Sequence, residues 1–471
     1  MTTRSRSFPA RRALIVATGV VVLGAGLFAA GGFAQGKDDE AAAVVPALHD
    51  KSVAAQAVGP DVVVFGFDDG VWPWGQSNGF VGYSVGTVSC NRGDTPLNWC
   101  AQSSGCAPGA TSANHPAIGQ NLYRLKDGRL EQIGMSWLKH GFTSLNQSSG
   151  GCTGSSGGGC QSPPFNGNQL GIGCTDPYSA SLNGSRTRLG PHQEVNATTG
   201  ALVIPHSTPG STTVWEGRLK VATTDVDPTV NPDAGSTSAG AATKYFAEAQ
   251  YIAGDDAMGG NGLNNASYQR VTVGASPSFP LTRTGSFFEQ KSAIYAWPAQ
   301  DPTVTVVTVD VPGSSPVERY QVARKVTDLG GGFWHYEYAV RNHNSERSAR
   351  AFTVTFPVAT TFSGIGFKDA EHHSGEPYAT TDWSVSTTGT DVSWFTDIFT
   401  DNANANALRF TTMYNFWFDA DQPPFSGSGN AMHTVGLFKP GTPDSVTFDG
   451  FNTLFNNGFE AGSTGAWSGA N

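Results

Sequence analysis

Short runs of β-branched and aromatic residues recur through the C-terminal half of this chain, each bounded by turn-forming residues. The best-defined run covers residues 333–357 and reads FWHYEYAVRNHNSERSARAFTVTFP. Its apolar and polar residues alternate with a period of two, which is the period of a strand with one buried face. The run therefore predicts two adjacent strands, Phe333–Val340 and Ala351–Pro357, joined by a turn at Asn342–Ser345.

The two faces of this predicted hairpin differ in polarity. One face carries Trp334, Tyr336, Tyr338, Val340, Phe352, Val354 and Phe356, and the other carries His335, Glu337 and Arg341. A strand pair in an antiparallel sandwich packs one face on the core and leaves the other in water. We therefore expect the aromatic face to be buried and the polar face to be solvated.

The composition favours the same architecture for the rest of the chain. Only 14% of the 471 residues are charged, whereas there are 59 Gly and 27 Pro. The segments between them are rich in Thr, Val, Phe and Tyr, which is typical of many short strands joined by turns. The fold class predicted is mainly β, an antiparallel β-sandwich architecture of two packed β-rich halves. One helix is predicted, within Gly240–Ile252, with strand as the alternative for its second half.

The N-terminus has the pattern of an export signal. Arg4, Arg6, Arg11 and Arg12 precede an apolar run, Ala13–Phe33, that ends in small residues. We expect cleavage, which leaves no membrane span and places the protein in the periplasm or outside the cell; an uncleaved anchor is the alternative. The predicted organisation is 1–34 signal peptide, 35–58 linker, 59–280 disulfide-containing β-rich domain, 281–450 antiparallel β-sandwich domain and 451–471 C-terminal tail.

Six cysteines, all in the N-terminal half, suit an oxidising compartment. An even number predicts three disulfides, and spacing alone leaves 15 connectivities open. Cys152 and Cys160 bracket a Gly/Ser loop, so we expect them to pair. A thiolate metal site is the competing interpretation, and no C-x-x-C spacing supports it.

The charge distribution limits the partners. The net charge is −10, and no Lys/Arg cluster occurs beyond the extreme N-terminus. A phosphate backbone would find nothing to bind, so nucleic acid is not expected as a partner. The expected ligand is an extracellular polymer or a small molecule.

The C-terminal sequence FNTLFNNGFEAGSTGAWSG resembles the GFE-x-G-x-x-x-x-W ends of many secreted bacterial proteins. The segments SWLKHGF, CTDPYSASLNGS and HHSGEPY are similar to those of a group of uncharacterised secreted bacterial proteins. The resemblance implies secretion and carries over no functional residue and no activity.

Histidines provide the main candidate site. His140 ends a strand-like run, His115 lies in the loop NHPAIG, and His373 follows His372 in EHHSGEPY. Copper or zinc needs about three neutral imidazoles that converge from separate loops or strand ends. His115, His140 and His373 are the predicted metal ligands. The alternative is that each is an unrelated surface or hydrogen-bonded core histidine.

Oxygen donors suggest calcium as a further possibility. Two loops carry them: Asp225, Asp227, Asn231 and Asp233 in the first, and Asp255, Asp256, Asn261 and Asn264 in the second. Calcium prefers such ligands, but neither loop matches an EF-hand. Ordinary Asx turns explain the same residues.

Aromatic residues and carboxylates suggest sugar chemistry. Trp72 and Trp74 lie close together in sequence with Phe80 and Tyr83, and exposed indoles on a β scaffold can stack on pyranose rings. Core packing is the alternative role. Carboxylate pairs such as Glu371 with Glu376 could serve glycoside hydrolysis. No nucleophile motif is present, and no catalytic residue is predicted.

Two functions are consistent with these patterns. The first is a secreted metalloprotein with a histidine-ligated copper or zinc site that acts as an oxidoreductase or hydrolase. The second is a non-catalytic extracellular protein that binds glycan, or a cell-surface protein. The distance between the histidine rings in the folded chain separates the two.

Overall fold

Strands dominate the structure, a computed structural model that describes residues 57–101, 104–426, 429–449 and 451. Strands β1 to β15 are, in order, Val62–Gly66, Val71–Ser77, Phe80–Val85, Thr87–Asn91, Leu97–Asn98, Ala117–Lys126, Arg129–Met135, Leu138–His140, Gln169–Leu170, Thr175–Tyr178, Leu189–Gly190, Leu219–Ala222, Thr243–Ile252, Ala266–Val273 and Leu281–Phe288. Strands β16 to β27 are Thr305–Asp310, Arg319–Gly330, Phe333–Asn342, Ala349–Thr355, Phe362–Lys368, Ser384–Thr387, Asp391–Phe395, Met413–Ala420, Phe425–Ser426, Gly429–Asn430, Met432–Leu437 and Ser445–Phe448. The mainly β, antiparallel fold class is confirmed.

The helices are short. They are α1 Ala180–Asn183, α2 Thr223–Val226, α3 Gly254–Met258 and α4 Ala296–Gln300, with 3₁₀ turns at His192–Glu194 and Ala293–Tyr295. No helix within the described ranges is long and apolar enough to cross a bilayer. The predicted signal peptide, and nearly all of the predicted linker and C-terminal tail, lie outside those ranges.

The strands form four main sheets. A three-stranded sheet has the order β1-β4-β10, and a ten-stranded sheet has the path β15-β14-β13-β6-β7-β12-β3-β2, with β8 and β11 attached beside β6. An inner five-stranded sheet has the order β16-β17-β18-β23-β20, and an outer one has the order β21-β22-β19-β26-β27. Every pairing between these strands is antiparallel.

Three apolar layers hold the four sheets in a stack. Val62 and Val64 of the three-stranded sheet pack with Tyr245 and its neighbours in the ten-stranded sheet. On the opposite face of the ten-stranded sheet, Phe246 packs with Ala339 of the inner sheet. A third core lies between the inner and outer sheets; its larger side chains include Tyr336, Tyr338, Phe352, Trp394, Phe416 and Phe418. The second and third sheets are therefore covered on both faces.

The predicted hairpin within residues 333–357 is wrong, although its apolar face is buried in the core apart from Trp334, which is half-buried. Strand β18 pairs with β17 and β23, whereas β19 pairs with β22 and β26 in the outer sheet. The connection crosses from one sheet to the other, so Tyr338 and Phe352 meet across the core with ring centroids 5.3 Å apart. Facing sheets and neighbouring strands require the same alternation of apolar residues, which is why the pattern could not distinguish them.

The expected solvation of the polar face is also wrong. Glu337 is 5% exposed and Arg341 is fully buried, because this face of the inner sheet packs against the ten-stranded sheet. His335, nearer the open end of β18, is half-buried. The helix predicted within Gly240–Ile252 is strand β13 instead. This strand lies between β6 and β14 and forms backbone hydrogen bonds with both of them.

The cysteines form three disulfides, as expected, and no cysteine of the described chain is free. The predicted Cys152–Cys160 pair is wrong. The bridges are Cys90–Cys152, Cys100–Cys106 and Cys160–Cys174. Two of them tie the Gly/Ser loop to the three-stranded sheet, through Cys90 of β4 and through Cys174 next to β10, so the sheet determines the pairing. The bridges are compatible with an extracytoplasmic protein.

A buried ion pair joins the ten-stranded sheet to the inner sheet. Arg341 Nη2 of β18 donates to Glu248 Oε1 of β13 at 3.0 Å, and both side chains are fully buried. The same carboxylate accepts hydrogen bonds from Asn121, Tyr123 and the backbone amide of Ala293. Such a pair tolerates burial only when its remaining hydrogen-bonding groups are satisfied, and here the carboxylate has four donors.

Removing one charge of this pair should destabilise the fold strongly. We expect Glu248→Ala to lower the free energy of unfolding by about 3–5 kcal/mol, because Arg341 is left buried without a counter-charge. The matched control is Asp310→Ala, which breaks the partly exposed Arg319–Asp310 pair and should cost under about 1 kcal/mol. Urea unfolding at pH 7 measures both. Equal losses in the two variants would contradict this account.

Candidate functional site

Two of the three predicted metal ligands contact each other. His140 ends β8, which pairs with β6 on one side and β11 on the other. This pairing places His140 beside the loop that carries His115, and His115 Nε2 lies 2.9 Å from His140 Nδ1. Both side chains are buried. His140 at the strand end and His115 from a separate loop therefore lie together, as the sequence analysis expected for these two residues.

The hydrogen-bond partners fix the tautomers of the pair. His115 Nδ1 lies 2.9 Å from the Ser112 carbonyl, which can only accept, so this nitrogen carries the proton. Burial lowers the pKa of His115 to about 4, with a smaller contribution from the Arg188 charge. Neutral His115 therefore accepts at Nε2 from His140 Nδ1. Burial also lowers the pKa of His140 to about 2, which leaves its Nε2 a lone pair without a hydrogen-bond partner among the described residues.

A histidine that the sequence analysis did not select completes the group. The ring of His206 stacks on that of His140, with centroids 4.2 Å apart and an angle of 13° between the planes. His206 Nδ1 contacts the Ser207 carbonyl at 2.9 Å. Nothing in the sequence links His206 to His140, apart from its position in a loop rich in Pro, Ser and Thr.

The third predicted ligand, His373, has different surroundings. Its Nε2 contacts the carbonyl oxygens of Trp215 and Arg218 at 3.2 and 2.9 Å, and its Nδ1 contacts that of Ser374. Its neighbour His372 contacts the hydroxyl of Tyr414. No contact joins His373 to the His115–His140 pair.

The three stacked or paired histidines do not have the geometry of a metal site. His115 uses both ring nitrogens in hydrogen bonds, and parallel rings direct their lone pairs side by side rather than toward one point. Within the described part of the chain, no group of three His, Cys, Asp or Glu residues is placed to hold a metal ion. Copper or zinc therefore stays a prediction.

The histidine group borders a cavity of about 570 Å³, here called the arginine cavity. Its polar wall includes Ser112, His115, Arg186, Arg188, His206 and Ser211. His140 lies beneath this wall, covered by His206 and by Gly190, at which a Cβ would come within 2.7 Å of His140 Nε2.

His373 borders a second site, a cleft of about 230 Å³ here called the charged cleft. Its charged or titratable residues are Lys220, Asp225, Lys368, Asp369, Glu371 and His373, and Phe80 forms part of its apolar wall. The cleft lies where β7 and β12 of the ten-stranded sheet meet the chain that leaves β20 of the inner sheet. It is thus built from both halves of the sequence.

The carboxylates of the charged cleft differ in their partners. Asp225 pairs with Arg124 at 3.0 Å, and Asp369 accepts a hydrogen bond of 2.6 Å from Asn406. Burial raises the pKa of both groups, against the opposing effects of these partners. Glu371 is exposed and makes no hydrogen bond or ion pair to any described residue.

The predicted sugar-binding tryptophans lie on β2, at the edge of the ten-stranded sheet. Trp72 is 52% exposed, so its ring is open to a ligand. Trp74 is half-buried, and its indole nitrogen donates to Ser84 Oγ. The Arg218 guanidinium covers the Trp74 ring, with its Cζ atom 3.6 Å from the ring centroid. Trp72 and Trp74 therefore do not form one open stacking surface.

The predicted calcium loops make hydrogen bonds within the protein. Asp225 and Asn231 both contact Arg124, and Asp227 accepts from the amide of Thr229 in an Asx turn. In the second loop, Asp256 accepts from the amide of Val62. Burial raises the pKa of Asp256 well above its ordinary value. Calcium also stays a prediction.

Glu376, the proposed partner of Glu371 in glycoside hydrolysis, belongs to a buried relay instead. Its carboxylate contacts His192 Nδ1 at 3.2 Å, and His192 Nε2 contacts Thr411 Oγ1 at 3.3 Å. Thr411 has a φ of 63°, which is strained for a β-branched residue. All three side chains are buried, and the relay borders neither the arginine cavity nor the charged cleft.

Comparison with known proteins gives no family. No protein-family model and no curated protein matches this chain. Among solved structures, it is similar to the exo-β-D-glucosaminidase CsxA, from work on the inhibition of that enzyme by a glucosamine-configured castanospermine and an amino-australine analogue. The sequences are 8% identical, the TM-score is 0.15, and the match covers 78% of this chain and 25% of that one. The chain thus spans a quarter of that enzyme, and so low a TM-score supports no argument about fold or activity.

The histidine tautomers give a spectroscopic prediction. We expect the ring signals of His115 and His140 to stay constant between about pH 5 and 8, because their pKa values are about 4 and 2. His335 is the internal control, since the hydrogen bond to Glu337, with a further one to Asp419, raises its pKa above the ordinary value. Ring-selective NMR, with signals assigned through single His→Gln variants, measures this. A midpoint between pH 6 and 7 for either His115 or His140 would contradict the tautomer assignment.

The same lowered pKa gives a pH dependence of stability. Below about pH 6.5 the unfolded chain binds a proton at His115, whereas the folded chain does not until about pH 4. The free energy of unfolding therefore falls as the pH drops through this window. We expect His115→Gln to reduce that fall by about 2–3 kcal/mol between pH 7 and pH 4. Urea unfolding of parent and variant at both pH values measures the difference, and an unchanged fall would show that His115 is protonated in the folded state.

Proposed function

We propose that this protein binds carbohydrate outside the cytoplasm, with the charged cleft as its binding site. Three disulfides are compatible with that compartment. The copper or zinc function predicted from the sequence has less support, because His373 lies apart from the His115–His140 pair. Among the functions predicted from the sequence, glycan binding therefore fits the structure better.

The observation that carries the proposal is a free anion and a free cation in one cleft. The Glu371 carboxylate and the Lys220 ammonium both line it, and neither makes a hydrogen bond to a described residue. Burial lowers the pKa of Lys220, and the charge of Glu371 opposes this effect, so the two groups interact without forming a hydrogen bond or an ion pair. A sugar hydroxyl both donates and accepts, and vicinal hydroxyls can therefore bridge a carboxylate and an ammonium group.

Aromatic rings next to these charges complete a surface suited to a sugar. The rings of Phe80 and Trp215 are half-buried and have centroids 5.6 Å apart. The Lys220 ammonium lies 4.0 Å from the Phe80 centroid and 4.9 Å from that of Trp215. These contacts hold the ammonium at the cleft without a carboxylate partner. The apolar C–H faces of a sugar ring can pack on the exposed parts of the same rings.

Glycoside hydrolysis is a second candidate function for the same cleft. That reaction uses one carboxylic acid that stays protonated and a second carboxylate that stays ionised. Burial raises the pKa of Asp369, and Glu371 is more exposed in the same cleft. Asp369 is the candidate acid and Glu371 the candidate base or nucleophile. Release of reducing sugar by the parent and its loss in Asp369→Asn would support this candidate.

Loss of either free charge should weaken sugar binding. A glycan array probed with the labelled full-length secreted protein identifies a ligand, and calorimetry gives its affinity. We expect Lys220→Ala and Glu371→Gln each to weaken that affinity by about tenfold, or roughly 1.4 kcal/mol, because each removes a charged hydrogen-bonding group. Lys291→Ala is the matched control, since Lys291 is exposed and does not line the cleft.

Two results would overturn the proposal. One is the absence of any glycan ligand on the array. The other is a ligand whose affinity Lys220→Ala and Glu371→Gln leave unchanged; if Trp72→Ala abolished its binding, the site would instead be the exposed ring on β2.

A further inference from the structure

The arginine cavity is a site of different charge from the charged cleft. Its volume of about 570 Å³ is more than twice the volume of the cleft, about 230 Å³. A sugar-sized molecule fits in a cavity of this volume. Its charged residues are Arg186 and Arg188; no carboxylate of the described chain lines it. Its other polar groups are hydroxyls and imidazoles.

Both guanidinium groups are held by neutral acceptors. Arg188 donates to the carbonyl oxygens of Ala101 and Gly141, and Arg186 donates to those of Thr213 and Glu216. Neither forms an ion pair with a described carboxylate. Carbonyl groups fix the direction of a guanidinium without neutralising it, so both positive charges remain available to a ligand.

Two carboxylates near the cavity, Glu216 and Glu194, accept hydrogen bonds from other groups. The oxygens of Glu216 accept hydrogen bonds from the hydroxyl and the amide of Thr212. These bonds lower the pKa of Glu216, and the charge of Arg186 adds a smaller effect. Glu194 accepts from the amide and the hydroxyl of Ser207, next to His206. Neither carboxylate lies within ion-pairing distance of the two arginines.

The groups beneath the cavity respond to the positive charge of Arg188. Arg188 contributes, after burial, to the lowered pKa of His115, His140 and Lys139, and that of Lys139 falls to about 7. Lys139 is buried below the cavity floor, where its ammonium donates to the carbonyl oxygens of Ser185 and Thr187. Burial is the main cause of these shifts, and the charge of Arg188 adds to them. The same positive charge repels a metal cation and attracts an anion.

We propose that the arginine cavity binds the oxyanion group of a sugar-sized ligand, a carboxylate, sulfate or phosphate held by Arg186 and Arg188. Guanidinium groups suit these anions because their N–H donors match pairs of oxygen atoms. The hydroxyls of Ser112 and Ser211 supply further donors on the same wall. The volume beyond the oxyanion accommodates the rest of the ligand. This site is independent of the proposed function of the charged cleft.

The test compares one sugar with and without an anionic group. Calorimetry on the full-length secreted protein uses glucose, glucuronate, glucose 6-sulfate and glucose 6-phosphate as probes at low ionic strength. We expect at least one charged sugar to bind about tenfold or more tightly than glucose, and its affinity to fall as salt is raised. The charged sugar that binds best identifies which oxyanion the cavity prefers.

Arginine variants locate the binding. We expect Arg186→Gln and Arg188→Gln each to weaken the affinity for the charged sugar by about tenfold. Arg270→Gln is the matched control, because Arg270 also donates to three backbone carbonyls and pairs with no described carboxylate, but does not line the cavity. Binding of a charged sugar that Lys220→Ala weakens and both arginine variants leave unchanged would instead place that sugar in the charged cleft.

The proposal is overturned by no preference for any charged sugar over glucose, by binding that both arginine variants leave unchanged, or by zinc or copper bound at the cavity in place of an anion. If Arg188→Gln does not fold, Arg186→Gln and competition by inorganic sulfate in the parent decide the case. Sulfate that fails to displace the charged sugar counts against the site.

Discussion

The buried pair between Glu248 and Arg341 is the interaction on which the four-layer stack depends most. An arginine in a layer this apolar would be costly without its carboxylate, and the carboxylate also binds Asn121, Tyr123 and Ala293. The pair therefore specifies which face of the inner sheet meets the ten-stranded sheet. Hydrophobic contact alone would allow the two sheets to slide, because apolar packing has little directional preference.

Both candidate sites follow from this stacking, in different ways. The charged cleft exists because the chain that leaves β20 is held against β7 and β12, across the same pair of sheets that Glu248 and Arg341 join. The arginine cavity lies within the N-terminal half, where β8 and β11 bring the His115 loop and residues 186–188 together. A mutation at the ion pair should thus affect the cleft more directly than the cavity.

Local charge, rather than net charge, distinguishes the two sites. The chain carries a net charge of −10, yet the arginine cavity has two arginines and no carboxylate from the described residues. Charges more than about 10 Å apart are largely screened at ordinary ionic strength, so a ligand in the cavity responds to the nearby guanidinium groups. The charged cleft, by comparison, offers a carboxylate and an ammonium group together, which suits a neutral polyol.

The sequence by itself determined the fold class, the antiparallel strands, the presence of three disulfides and the apolar faces of β18 and β19. Each of these depends on local alternation, turn residues or cysteine number. The tertiary structure alone decided that β18 and β19 lie in facing sheets, that Cys90 pairs with Cys152, and that His206 rather than His373 joins His115 and His140. These outcomes depend on which surfaces meet, and alternation along one strand carries no information about the partner that covers it.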